Sequence, residues 1–291
     1  MNQVERIARG VKHRLGLKDS SWVVTQSRPL FDAFLGVAFA RRGLPRMVYG
    51  GEKLRLLPKY RHYHDDFEPH LIKCVREHLR EGECVLEVGA NIGFLTVLLS
   101  KWVGPAGKVY AFEPAPTSRA ALQRHLAMNG TAERVLVRRE AVSEFEGQAS
   151  FYVDGASGEN TLSNSHWRIP QARSIQVPVV TLDSFCRSQS VEPDLIKIDV
   201  EGFEHQVLAG SVQTMIRARP RIIVELHPMH WLELGTTESK FTRLLDRTRY
   251  RCVALEGQEN AMREYGHVLL EPLPQSAEFV AKGGKESGND S

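Results

Sequence analysis

Apolar and polar positions from about residue 70 onward fall into two alternating rhythms. Pro69 to Arg80 carries Leu71, Ile72, Val75 and Leu79 on one helical face and is ended by Glu81-Gly82. Cys84 to Val88 is a short, mostly apolar run, which predicts a buried strand. Ile92 to Trp102 returns to helical spacing and is stopped by Gly104-Pro105 and Gly107. Lys108 to Phe112 reads as the next strand. Thr117 can cap a helix running to about Asn129, with Gly130 at its C-terminal end. Arg134 to Val142 reads as a third strand. Strand and helix in this succession predict an α/β fold, a mostly parallel sheet with helices on both faces.

The rhythm breaks in the middle and then resumes. Ala149 to Val153 and Ile175 to Val180 read as strands, separated by a polar stretch from Asp154 to Arg173 that is rich in Ser, Asn and Gly. A loop of that length in a compact domain is usually functional or disordered. Leu195 to Val200 is a strand. Glu204 to Arg217 is a helix with Val207, Leu208, Val212, Met215 and Ile216 inward. Arg221 to Leu226 is a strand, Glu238 to Thr248 a helix, and Cys252 to Leu255 and His267 to Leu270 the last strands. The expected organisation is an N-terminal helical or extended elaboration over 1–66, a main domain over 67–273, and a disordered tail over 274–291. The first twenty residues suit a basic amphipathic helix, with Val4, Ile7, Val11 and Leu15 near one face. Such a helix can dock on a membrane surface or a partner, or simply lie solvated on the domain.

Composition narrows the classes. The chain has 291 residues, 42% hydrophobic and 25% charged, with a formal net charge of +3. That excludes a wholly disordered or collagen-like chain and is too weakly basic to argue for a nucleic-acid partner. Cys74, Cys84, Cys186 and Cys252 are widely spaced with no CxxC pair, so they read as free thiols in a reducing compartment. No signal peptide or membrane-spanning pattern is read, which sets the cytoplasm as the expected location.

The chemistry centres on Val85-Leu86-Glu87-Val88-Gly89-Ala90-Asn91-Ile92-Gly93-Phe94, a strand running through a glycine loop into a helix. Gly89 and Gly93 let backbone approach a ligand, and the helix start offers free N–H groups. A dinucleotide fingerprint needs glycine where Asn91 and Phe94 stand, so the loop suits a nucleoside without a diphosphate. Glu113 ends the second strand, 20 residues after Gly93. Its two oxygens can accept both hydroxyls of a ribose. Glu140 and Ala141 are placed to border an adenine ring.

These residues resemble the FkbM family of S-adenosylmethionine-dependent methyltransferases. The resemblance runs over roughly residues 67 to 230 and rests on VLEVGANIGFLT, AFEP, AVSEFEG, the run from Asp194 to Glu204 (DLIKIDVEGFE), and Arg219-Pro220-Arg221-Ile222-Ile223-Val224-Glu225-Leu226. It implies the Rossmann-like class I methyltransferase fold with a central, mostly parallel seven-stranded sheet, and methylation of hydroxyl oxygens on small molecules, sugars or glycans. Glu87 stands where the family usually has Asp. The resemblance implies a donor site made of Glu87, Gly89, Ala90, Asn91, Gly93, Glu113, Glu140, Ala141 and Asp199.

An alcohol is a weak nucleophile, so a base or metal near its proton helps. Asp199 and Glu201 sit at the carboxyl end of one strand, Glu225 and His227 at that of the next. Asp199 is expected near the donor or acceptor, and His227 or Glu201 is the candidate base. A divalent cation such as Mg²⁺ on Asp199, Glu201 and the Glu225/His227 pair remains an alternative to a metal-free site. Glu201 and Glu204 also suit the dipole at a helix start, and His227 also suits a satisfied buried histidine. His62-Tyr63-His64-Asp65-Asp66 resembles a binuclear hydrolase start but has Phe67 where a further His is needed. Phe67-Glu68-Pro69 can close over the methionine end of the donor, and the loop from Glu159 to Trp167 can cover the acceptor. The competing functions are a non-catalytic donor-binding module, a dehydrogenase, and a methyltransferase acting on protein or nucleic acid. Against nucleic acid, Asp199-Val200-Glu201-Gly202 has neither the Pro-Pro-aromatic step nor a nearby nucleophilic Cys.

Overall fold

In this computed structural model the described residues are 22–48, 51–63, 67–153, 161–162 and 173–274, preceded by 10, 11, 13, 14, 16 and 18. The chain enters with a helix, α1 (Trp22–Ala38), and an antiparallel hairpin, β1 (Leu44–Val48) and β2 (Glu52–Leu56). α2 (Pro69–His78) begins on a proline, whose fixed φ and missing N–H suit a first helical turn. Then come β3 (Cys84–Val88), α3 (Phe94–Trp102), β4 (Lys108–Phe112), α4 (Pro116–Asn129) and β5 (Val135–Arg138). A side sheet follows, made of β6 (Ala141–Val142), β7 (Gly147–Val153) and β8 (Arg173–Val180) in the order β6-β8-β7. The second half runs α5 (Leu182–Gln189), β9 (Leu195–Ile198), α6 (Glu204–Ala209), α7 (Val212–Ala218), β10 (Arg221–Leu226), α8 (Pro228–Trp231), α9 (Glu238–Thr248), β11 (Tyr250–Ala254) and β12 (Gly266–Pro272).

The main sheet has seven strands in the order β11-β12-β10-β9-β3-β4-β5. All pairs are parallel except those of β12, which runs antiparallel to β10 and β11. β3 lies inside the sheet, between β9 and β4, and Val85 on one face and Leu86 and Val88 on the other are each covered. Val85 joins a core with Leu71 and Val75 of α2, Leu98 and Leu99 of α3 and Leu122 of α4. Leu86 and Val88 join a second core with Phe185 of α5, Leu208 of α6, Met215 of α7 and Phe241 of α9. Leu54, Leu56 and Leu57 belong to the first core, so the N-terminal hairpin is packed into the main domain. His125 ties it there: its Nδ1 lies 2.7 Å from the Ile92 carbonyl oxygen, and its Nε2 accepts from the Leu57 N–H at 2.9 Å. Burial holds this imidazole neutral, pushing its pKa down to about 4.

The seven-stranded, mostly parallel sheet matches the expectation, and several boundaries differ. The strand expected over Arg134 to Val142 is two strands in two sheets, β5 and β6, because the chain leaves the main sheet at Arg139-Glu140. The helix expected over Glu204 to Arg217 breaks at Gly210, where a Cβ would lie 2.1 Å from the Ser143 carbonyl oxygen. Thr117 caps nothing: α4 starts on Pro116 after Ala115, without a side-chain cap. α1, the hairpin, α5 and α8 are additions to the sequence reading. Most of the expected helix over the first twenty residues, the 275–291 tail, His64 to Asp66 and most of the 154–172 loop lie outside the described residues. The four cysteines are free, and among the described residues no helix is long and apolar enough to cross a membrane.

Gly210→Ala should be destabilising by about 1–3 kcal/mol, because a backbone carbonyl, rather than a flexible side chain, meets the added methyl. Urea unfolding reads this as a lower midpoint at an unchanged slope.

Candidate active site

The C-terminal ends of β3 and β9 meet backbone to backbone. The Asp199 N–H donates to the Val88 carbonyl at 3.0 Å. A Cβ on Gly89 would lie 1.8 Å from the Asp199 carbonyl oxygen, and φ at Gly89 is +84°, so only glycine fits. The chain then turns through Asn91, at φ +47°, into α3. Here the ends of β3, β4 and β9 surround a cavity of about 600 Å³, measured with its open mouth. This is where ligands sit in open α/β sheets.

Gly89, Asn91, Glu113, Glu140, Ala141, Asp199 and Glu201 line the cavity. Phe112, Val142, Phe151, Val200 and Phe203 supply apolar wall, the side sheet contributing Phe151. Glu113 accepts the Asn91 N–H on one oxygen and the Ala115 N–H on the other, both at 2.7 Å. Each oxygen keeps further acceptor capacity, which suits two neighbouring hydroxyls. Burial lifts this carboxyl to about 7, against the pull of its two N–H donors. Asn91 Oδ1 is buried with no hydrogen-bond partner, so a donor group on a ligand would satisfy it. Glu140 pairs with Arg138 at 2.6 Å. Burial alone would raise the Glu140 carboxyl, and Arg138 outweighs it and holds it low.

Three of the expected donor-site residues stand behind this wall. Gly93 starts α3 at φ +81°, where a Cβ would lie 2.2 Å from Leu122 Cδ1, so it serves helix packing. Ala90 is buried, and its N–H donates to Phe112. Glu87 shares a register position with Lys197 of β9, on the face covered by α2–α4. Burial lifts its carboxyl to about 7, with Lys197 opposing. Thr161 and Leu162 line the cavity, whereas the rest of the 159–167 loop lies outside the described residues.

Beyond Asp199 the cavity borders a charged cluster. Lys197 Nζ donates to Asp199 Oδ2 at 2.9 Å from a side chain that is 5% exposed. Burial alone would lower the lysine, and Asp199, Glu225, Glu68 and Glu87 together outweigh it and hold it raised. His227 Nδ1 lies 2.9 Å from Glu204 Oε1. Glu204 is fully buried and also accepts from the Gly202 N–H at 2.7 Å and Trp231 Nε1 at 3.0 Å. That fixes the ring so that Nε2 faces Glu201 at 3.5 Å and Glu225 at 3.9 Å. Burial would lower the His227 pKa, yet the hydrogen bond and charge of Glu204, with Glu201 and Asp199 behind them, lift it to about 9. Glu225 takes a hydrogen bond from Tyr265 and faces His267 at 3.4 Å. Burial would raise this carboxyl, and His267 and Lys197 hold it far below the usual range.

Asp199, Glu201 and His227, the expected catalytic group, are therefore brought together. Each offers one ligand atom, and the three atoms lie within 4.8 Å of one another, a spacing open to a proton relay or a divalent cation. Phe67 packs on Tyr63 and Phe94, with ring centroids 4.4 and 5.2 Å away. Glu68 faces Lys197, and burial lifts it to about 7. Lys197, Glu204, Tyr265 and His267 were not singled out as site residues from sequence. Lys197 had a signal: a lysine inside an apolar strand, two residues before Asp199 and so on its face. His267 had none, because only the antiparallel register of β12 sets it opposite Glu225.

The sequence profile described as "Methyltransferase FkbM domain" matches residues 87–252. The 31-O-demethyl-FK506 methyltransferase FkbM of Streptomyces tacrolimicus is 30% identical over 53% of this chain and 70% of its own. The hexuronic acid methyltransferase AglP of Haloferax volcanii is 25% identical over 62% of this chain and 69% of its own. The 2-O-methyltransferase NoeI of Sinorhizobium fredii is 26% identical over 46% of this chain and 60% of its own. With the profile running from the end of β3 through the glycine loop, Glu113, Asp199, Glu201, Glu225 and His227, over more than half of the sequence, the chain belongs to the FkbM family of S-adenosylmethionine-dependent methyltransferases.

Proposed function

We propose that the protein methylates a hydroxyl oxygen on a small molecule, sugar or glycan. The observation that carries this reading is one cavity with a diol-accepting carboxylate, Glu113, on one wall and Asp199 and Glu201, backed by His227, on another. The acceptor class follows the relatives, whose names specify a 31-O position, a hexuronic acid and a 2-O position. A net charge of +3 and a cavity end rich in carboxylates disfavour a polyanion such as nucleic acid. Residues 67–273 act as the catalytic domain and 1–66 as an elaboration on it. Free thiols fit a reducing cytoplasm.

S-adenosylmethionine supplies an electrophilic methyl group on a sulfonium. The chain's part is to orient and to move a proton. Glu113 holds the ribose diol, Glu140 and Ala141 border the adenine, and Asp199, pinned by Lys197, faces the methionine end. His227 Nε2 would take the proton from the acceptor hydroxyl as its oxygen bonds to the methyl carbon and the carbon–sulfur bond breaks, its electron pair leaving on sulfur as a neutral thioether. Glu204 acts as a positioning residue, holding Nδ1 so that Nε2 is the free nitrogen.

Glu113→Ala should weaken S-adenosylmethionine binding about tenfold or more, since a charged hydrogen bond contributes roughly 1.5–3 kcal/mol. Calorimetric titration measures it, with NAD as the control ligand. Tight NAD binding without a response to the methyl donor would overturn the reading.

The pH profile tests the base. A pKa raised to about 9 keeps His227 protonated at neutral pH, so turnover should climb with pH and level off near that value. His227→Ala should lower the plateau by about 10²–10⁴-fold. Glu204→Gln removes the main influence raising the imidazole, so its rate climb should move to lower pH while the plateau falls. An unchanged profile in Glu204→Gln would remove His227 as the base.

A second reading rests on the ligand spacing of Asp199, Glu201 and His227, in which a divalent cation activates the hydroxyl. Turnover unchanged by a chelator is the expected result. Loss of turnover restored by Mg²⁺ would transfer the activating role to the cation.

A further inference from the structure

α1 is turned the wrong way round for a helix that serves only the core. Trp22, Leu30, Phe34 and Val37 are 75%, 76%, 55% and 83% exposed. At about 100° per residue these four fall within an arc of roughly 120°, on one side of the helix, with Gln26 between Trp22 and Leu30. On the opposite side a fully buried Leu35, with an ion pair from Asp32 to Arg61 at 2.8 Å, fixes the helix to the domain. These four are exposed apolar side chains that a helix on a domain surface would ordinarily bury.

Charge says what covers them. Residues 1–66 hold thirteen Lys and Arg against six Asp and Glu, whereas residues 67–291 hold twenty-five against twenty-nine. The positive charge of the chain is therefore concentrated in its N-terminal part. Arg28 within the helix and Arg41 and Arg42 just past Val37 are exposed, as are Arg14 and Lys18 ahead of it. A second copy set face to face on α1 would bring two positive ends together, which is repulsive. The stripe is a ridge of bulky side chains with a tryptophan at one end and cations around it. That is the composition of a helix lying in a membrane interface, where aromatic and aliphatic groups enter the acyl boundary and cations meet anionic headgroups.

We propose that α1 docks the protein on an anionic phospholipid surface, with Trp22, Leu30, Phe34 and Val37 inserted and Arg41 and Arg42, just past the helix end, on the headgroups. The association is peripheral and reversible. The attraction of the basic residues to such a surface is screened by salt. This inference stands apart from the methyl-transfer reading, because no residue of α1 lines the cavity.

The test is co-sedimentation of the full chain with vesicles of phosphatidylcholine alone or mixed with phosphatidylserine. The protein should pellet with the mixed vesicles about tenfold or more strongly than with the neutral ones, and the difference should collapse at high salt. The double variants Leu30→Glu/Phe34→Glu and Arg41→Glu/Arg42→Glu should each stay in the supernatant while keeping wild-type melting temperature and methyl-donor affinity. Trp22 fluorescence, isolated by difference from Trp22→Phe, should shift to the blue on binding. Equal partition between neutral and anionic vesicles, or no pelleting at all, overturns the proposal. So does a dimer by light scattering that Leu30→Glu/Phe34→Glu dissolves, since that assigns the stripe to a second copy.

Discussion

The contact on which the site depends is the one between the backbones of Gly89 and Asp199. A glycine without a side chain lets the end of β3 lie against the end of β9, and the Asp199 N–H closes the seam on Val88. Everything chemical is arranged on either side of it. The glycine loop and Glu113 lie toward β4, and Asp199, Glu201 and His227 lie toward β10. Were the two strand ends an ångström further apart, Glu113 and the Asp199–Glu201–His227 group would no longer address one molecule. Positioning at that scale decides rates when the reacting groups themselves are ordinary.

The charged cluster beyond Asp199 is the second constraint. Carboxylates from four segments face one buried lysine, and the neighbouring carboxylates raise the pKa values of His227 and His267 beside it. Breaking such a buried pair costs about 3–5 kcal/mol, because the surviving charge has no water to turn to. The cluster therefore holds itself in place electrostatically, and each member sets the protonation of the next. A positively charged ligand entering beside it meets a region already negative, which suits a sulfonium and its amino group.

Much of the fold was legible because the periodicity was clean. β3, β4 and β10 and the helices α2 and α9 are all places where apolar spacing alone decides the element. The errors cluster where distant contacts intervene. Gly210 breaks a helical pattern because Ser143, far off in sequence, presses against it. Arg139-Glu140 sends the chain out of one sheet into another, which no local pattern signals. The site behaved likewise. Asp199, Glu201, Glu113 and Asn91 stood at strand ends where the crevice opens. Glu204 looked like a helix-start charge, and only the folded chain sets its carboxylate against His227 and Trp231. Gly93 looked like a ligand-facing glycine, and Leu122 shows it serves the packing of α3 on α4. Sequence spacing identified where chemistry gathers but not which oxygen each group faces.

His125 carries a consequence of its own. A neutral imidazole can give a proton on one side and take one on the other, and this ring does both, toward Ile92 in the glycine loop and toward Leu57 just past β2. It works as a strut of fixed polarity between the end of the N-terminal hairpin and the glycine turn beside the cavity. The N-terminal hairpin and the glycine turn are thereby joined through one imidazole, so a displacement of either is felt by the other.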